Sequence, residues 1–320
     1  MPSKDPVTRN DVAEYAGVST AVVSYVVNEG PRKVAPETRE RVLDAIRALG
    51  YRPNATARAL RMGTTRTFGL ITPDGGNPLF AELAKAVDRE AAARGYVVLQ
   101  TSTDGDPATE RAKLAELLTR QVSGLVLVAP TADPSLDDVE VPVIAINRVL
   151  PTVSSVRPAY REGARRGVEH LIEHGHRAIG LVIGGAGHPE RELGWRDALT
   201  AAGLPEGPIA RATFSREGGY RAAQTLLPAE PTAIFASSDL QAIGVLRALH
   251  EAGVRVPEDI AVVAFDGTPE TEYTWPPLTV VRQPVELVAR EAVRRLIDGE
   301  DTMEALTVPT ELILRRSCGC

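Results

Sequence analysis

Between residues 8 and 50 the apolar positions recur at helical spacing in three short runs. Thr8 is a favourable N-cap with Asp11 three residues on, a pattern close to a capping box. Val12, Ala13 and Ala16 then make a small apolar face, and Gly17 stops the helix. Ser19 is placed to cap a second helix reaching about Asn28. Pro36 and Glu37 open a third, on which Val42, Ile46 and Leu49 recur before Gly50. Residues 51–67, YRPNATARALRMGTTRT, break this pattern. Asn54–Arg61 holds good helix formers for only about two turns, too few for an isolated helix in water. The stretch predicts a linker with a conditional helix.

From Phe68 the pattern becomes apolar strands alternating with amphipathic helices. FGLI, YVVLQ, GLVLVA, VPVIAI, AIGLVI, PTAIFA and IAVVAF predict strands, and a further one lies near Ile209. Helices are expected over about 78–94, 107–121, 160–174, 189–202, 216–227 and 238–252. Such alternation predicts parallel sheets covered on both faces. The strands are too many for one half, and the irregular stretch at Pro151–Pro158 suggests a crossing between two lobes. The expected organisation is α/β: a three-helix head over 1–50, a hinge and linker over 51–67, and a bilobed body over 68–320. Ligands of such sheets bind outside the carboxyl ends of the strands.

At 320 residues the chain is long enough for about two domains. No apolar run approaches 18 residues and no apolar stretch follows the first basic residue, so neither a membrane span nor a secretory signal is expected. The two cysteines, Cys318 and Cys320, cannot staple a fold, which favours a cytoplasmic chain. The net charge of −6 conceals an asymmetry. The first 66 residues carry an excess of Lys and Arg and the remainder an excess of Asp and Glu, as if the head meets a polyanion and the body does not.

The second helix, STAVVSYVVN, is the most informative segment. Val23, Val26 and Val27 share one face, and Thr20, Ala21, Ser24 and Tyr25 the other. A helix after a helix–Gly–turn, with small polar and aromatic residues outward, fits the recognition helix of a helix-turn-helix. The pattern alone equally describes an ordinary helical hairpin.

The segments DVAEYAGVSTAVVSYVVN, PETRERVLDAIRALGYRPN and ATARAL together resemble the DNA-binding head of the lactose-repressor (LacI/GalR) family. NPLF, GYVVLQ, the run from Gly163 ending in HLIEHGH, PTAIFASSD, VPEDIAVVAFDG and PPLTVVRQP extend the resemblance into that family's effector-binding domain, to about residue 317. The resemblance implies a DNA-binding transcriptional regulator, a repressor working as a homodimer on palindromic operator DNA. It implies contacts from Thr8, Thr20, Ala21, Ser24, Tyr25 and Asn28, Thr20 and Ala21 standing where base edges are met. Tyr25 stands where relatives often carry Arg or His. In this family the linker becomes a hinge helix on DNA. Leu60 matches the leucine wedged between central base pairs, with Asn54, Ala57 and Arg61 against the minor groove.

For the body the resemblance implies a periplasmic-binding-protein-like domain with a small-molecule effector of sugar or nucleoside class. Asp239 matches a hydroxyl-binding acid, Arg191 a clamping arginine and Phe214 a stacking aromatic. Asp74, Asn77, Phe80, Asn147 and Arg148 face the cleft from the first lobe, joined by Gln283. Taken singly, Asp239 also reads as a helix cap, Phe214 as core, and Asn147–Arg148 as a solvated turn. Arg157-Pro158-Ala159-Tyr160 departs from the family, which often places an acid shortly before Gly163. Trp195 and Trp275 are expected in packing. No leucine-heptad extension follows, so a tail-mediated tetramer is not expected.

Two other classes are weaker. Gly184-Gly185-Ala186-Gly187 lacks the G-x-G-x-x-G order of a dinucleotide site, and no catalytic arrangement or cofactor is expected. His174, His176 and His188 have no carboxylate at ligand spacing, so no metal is expected from the sequence. A transporter's solute-binding protein would suit the body but not the basic head.

Overall fold

The computed structural model describes residues 7–27, 32–52, 63–131, 134, 136–184, 189–299 and 305–320. The expectations for Asn28, Asn54, Ala57, Leu60, Arg61 and the hinge helix, and for Gly185–Gly187 and His188, lie outside these residues. The chain divides into two compact units between Thr65 and Arg66.

The first unit holds α1 (Arg9–Ala16), α2 (Thr20–Val27) and α3 (Pro36–Leu49). The Thr8–Asp11 capping box is formed in both directions, and Gly17 closes α1 at φ 65°. Ser19 Oγ accepts from the Val22 amide and starts α2. Gly50, also at φ 65°, ends α3. The core is Val12, Ala13, Ala16, Val23, Val26, Val42 and Ala45. Ile46 and Leu49 pack on it only partly buried.

The second unit contains two six-stranded sheets, each with helices on both faces. The strands are β1 (Thr67–Thr72), β2 (Val97–Ser102), β3 (Gly124–Val128), β4 (Val143–Ile146), β5 (Ser154–Pro158), β6 (Ile179–Ile183), β7 (Ile209–Arg211), β8 (Ala233–Ala236), β9 (Ala261–Asp266), β10 (Thr279–Arg282), β11 (Ala305–Val308) and β12 (Glu311–Ile313). The first sheet runs β11-β5-β4-β3-β1-β2 and the second β12-β10-β9-β8-β6-β7. Every pairing is parallel except β10 with β12.

In the first lobe, Phe68, Leu70, Val126 and Ile144 meet α4 (Pro78–Ala92) and α10 (Val285–Asp298). Ile71, Leu125 and Leu127 point the other way, onto α5 (Pro107–Thr119). This is the two-residue period of a strand buried on both sides. In the second lobe, Leu181, Phe235 and Val263 meet α6 (Tyr160–Glu173) and α7 (Pro189–Ala201). Val182, Ile234 and Val262 meet α8 (Arg216–Leu226) and α9 (Asp239–Glu251).

The structure adds α10, β10, β11 and β12 to the expected elements. It also corrects the stretch at Pro151–Pro158: residues 154–158 form β5, a buried strand of the first sheet, and the chain changes lobe immediately after it. It changes lobe again at Gln283–Pro284, into α10, and after Val308, into β12. Trp195 is fully buried, as a packing residue should be, but Trp275 is 86% exposed.

Candidate DNA-binding face and effector cavity

On α2 the valines Val23 and Val26 face the core, and Thr20 and Ala21 are exposed at the helix start. Tyr25 is half-buried and borders a shallow depression with Arg32, Lys33 and Arg39. Those three cations were not singled out in the sequence, although their charge was visible. They are the group type that holds phosphate beside a base-reading helix. Ser24 departs from expectation: it is buried with the valines rather than presented outward. Ser24 stands three residues before the partly buried Val27 and next to Val23, so helical spacing puts it on the flank of the buried stripe. The Thr8 hydroxyl is committed to the cap, donating to Asp11 Oδ2 at 2.8 Å. The Thr8 amide and hydroxyl hold the Asp11 carboxyl below its usual range.

In the second unit a cavity of about 1000 Å³ opens between the lobes at the carboxyl ends of their strands. The first lobe lines it with Asp74, Asn77, Phe80, Asp104, Asn147 and Arg148, the second with Tyr160, Glu190, Arg191, Phe214 and Asp266. Asn77 is fixed by capping α4, its Oδ1 accepting from the Leu79 amide at 3.0 Å. Asp74 Oδ1 accepts from the Gly76 amide. Asn147 takes φ 68°, which asparagine tolerates, and follows β4. Arg148 is half-exposed and makes no hydrogen bond or ion pair among the described residues.

The opposite wall is interlocked. Arg191 Nη2 donates to Asp266 Oδ1 at 3.1 Å, and its Nη1 donates to the Ser237 carbonyl. The guanidinium lies 4.3 Å from the Phe265 ring centroid, 4.7 Å from Tyr160 and 5.9 Å from Phe214. Gln283 Nε2 donates to the same Asp266 Oδ1 at 2.6 Å. Asp266 sits at the end of β9 with φ 115°, a conformation rare outside glycine and costly to hold. Burial raises its carboxyl above the usual range, and Arg191 and Gln283 oppose that rise. Phe214 reaches the cavity because position 184 is glycine: a Cβ there would lie 2.1 Å from its ring.

Two expected contacts do not line the cavity. Asp239 is buried behind the wall, where its Oδ2 accepts from the Thr268 amide at 2.6 Å and hydroxyl at 2.9 Å. Ser238, not Asp239, caps α9. Burial first, and Asp266 second, push the Asp239 carboxyl well above its usual range. Of the two acids that end β9 and follow β8, it is Asp266 that lines the cavity, a residue the sequence does not single out. Gln283 likewise acts through Asp266 rather than lining the cavity. Arg157, where the family often has an acid nearby, pairs with Glu190.

Residues 8–54 match the family model described as bacterial regulatory proteins, lacI family, and residues 168–318 match the periplasmic binding protein-like domain. Over 333 residues the chain is 35% identical to a protein named HTH-type transcriptional repressor PurR from Erwinia tasmaniensis, covering 97% of this chain and 96% of that one. The chain belongs to the LacI family. Among solved structures, a lac repressor dimer bound to operator and the anti-inducer ONPF superimposes on this LacI-family chain with TM-score 0.88 at 29% identity, covering 98% and 99% of the two chains. A complex of the transcriptional regulator CelR with cellobiose gives 0.74 at 33% identity, covering 97% and 99%. As a LacI-family member the protein is a DNA-binding transcription regulator and not an enzyme. The α/β architecture expected from the sequence, with its helix-turn-helix head and two largely parallel sheets, is the one observed.

Proposed function

We propose that this LacI-family regulator is a homodimeric repressor of palindromic operators. Its hold on DNA is set by a small hydroxylated molecule, of sugar or nucleoside class, in the interlobe cavity. The observation that carries the effector reading is the strained, buried Asp266 held against Arg191 at the cavity wall. A carboxylate and a guanidinium side by side offer acceptors and donors together, which suits a polyhydroxy ligand. Phe80 and Phe214 supply apolar faces for a ring. The cellobiose bound by the related CelR supports a carbohydrate.

On DNA, Thr20, Ala21 and Tyr25 approach base edges, and Arg32, Lys33 and Arg39 neutralise phosphates. Leu60, in the hinge with Asn54, Ala57 and Arg61, wedges the central step. Val97 and Leu99 on edge strand β2 are exposed, as are Tyr273 and Trp275. Apolar side chains at these places are what a second copy would cover. A palindrome then follows from the two-fold axis. A coupling of about 1–3 kcal/mol between cavity and operator would change affinity roughly 5- to 150-fold.

The test is operator binding by fluorescence anisotropy across a salt series, with a sugar and nucleoside panel screened first by thermal shift. The expected result is affinity falling steeply with salt as phosphate contacts release counterions, and a thermal-shift hit that alters that affinity. Salt-independent binding, or hits that leave operator affinity unchanged, would sink the reading.

A further inference from the structure

Far from the cavity wall, three ligating side chains converge at the other end of α6. His170 and His174 stand four residues apart and so share one face of the helix, their ring centroids 4.4 Å apart. Cys320 Sγ lies 3.5 Å from His170 Nε2 and 3.6 Å from His174 Nε2. The three ligating atoms fall within 4.8 Å of one another. Zinc bonds of about 2.3 Å to sulfur and 2.1 Å to nitrogen, at a tetrahedral angle, set the S···N edge near 3.6 Å. Both S···N distances match that edge length. Cys320 Sγ also accepts from Cys318 Sγ at 3.2 Å, which steers it toward the two imidazoles.

The supports on either side are firm. Ser317 Oγ donates to the Val262 carbonyl at 2.6 Å and accepts from the Thr279 amide at 2.8 Å, pinning the last turn to β9 and β10. Cys318 is fully buried beside the Thr279 hydroxyl at 3.0 Å. His170 is buried on α6, while His174 and Cys320 are exposed, leaving a side open to solvent. Imidazole and thiolate together select a borderline or soft cation over magnesium or calcium.

We propose that His170, His174 and Cys320 form a mononuclear zinc site with its fourth position open, fastening the terminal segment to α6. The thiol gives its proton to water as the Zn–S bond forms, and both imidazoles bind as neutral ligands. Tyr160, which packs on Arg191, opens the same helix ten residues before His170, roughly 15 Å along the axis.

The experiment uses the full chain, reduced and metal-stripped, titrated with Co²⁺ as a spectroscopic probe and then with competing Zn²⁺. One equivalent should bind with a thiolate–cobalt charge-transfer band and the d–d intensity of a tetrahedral site, and zinc should displace it. Cys320→Ser should remove the charge-transfer band. His174→Gln should weaken zinc at least tenfold, and Cys318→Ser should keep the band. Both His174 and Cys320 are exposed, and circular dichroism checks that their variants fold. The proposal is overturned if the wild type binds no stoichiometric metal, or if Cys320→Ser keeps the band. It is equally overturned if Cys318→Ser loses the band while His174→Gln binds as tightly as wild type.

Discussion

Arg191 and Arg148 face each other's walls of one cavity and are held in opposite ways. Arg191 donates to a carboxylate and a carbonyl and lies against three aromatic rings. Arg148 follows a left-handed asparagine and has no partner among the described residues. The second-lobe arginine is therefore set before any ligand arrives, whereas Arg148, beside an Asn77 already fixed by its cap, keeps a geometry that a ligand can still choose. A rigid wall facing an adaptable one lets a ligand bind first to one lobe and then reward closure by the other.

Replacing each arginine tests that contrast. Arg191→Ala leaves Asp266 buried without its cation, and such a loss costs about 3–5 kcal/mol. Arg148→Ala should stay within about 0.5 kcal/mol of wild type. Chemical denaturation of both variants decides the matter, and equal losses would erase the distinction between the walls. A middling effect is expected from Gly184→Ala, because the new methyl would occupy the Phe214 ring position. Overpacking of this kind costs about 1–3 kcal/mol. Calorimetry with an identified effector should also show weaker binding, and unchanged affinity would remove Phe214 from the site.

The smallest effect sharpens what lies behind the rigid wall. Folding raises the Asp239 carboxyl above its unfolded value, with burial as the main cause. Its contribution to stability is therefore full below about pH 3.9 and is lost as pH climbs through the folded value. Asp239→Asn keeps the shape without the charge, so its unfolding midpoint should gain on wild type as pH rises from 4 to 8. A constant difference across that range would mean the carboxyl titrates normally.

These walls were unequally visible in the sequence. The central strands announce themselves as unbroken apolar runs such as GLVLV, since both sheet faces are covered. Strand β5 hides because two of its buried positions are Ser154 and Ser155. Strands β11 and β12 lie at sheet edges, half-exposed, and carry little apolar signal. Helix α10 does carry one, with Val288, Ala289, Ala292, Val293 and Leu296 buried at helical spacing. The choice between Asp239 and Asp266 was beyond reach. Both follow apolar strands, and only a backbone turn at φ 115° aims the second at the cavity. Trp275 shows the converse: an aromatic residue that size alone assigns to packing stands in solvent.

The order of strands has a consequence for how the molecule comes into being. Helix α10 and strand β11 complete the first sheet's layers, yet they are translated after strands β6 to β10 of the second lobe, which itself still waits for β12. A growing chain can therefore finish neither lobe early, and its effector pocket has no rigid frame until residue 308 has left the ribosome. Fragments ending before α10 would leave the face of Phe68, Leu70 and Ile144 covered by α4 alone, a ready substrate for chaperones and proteases.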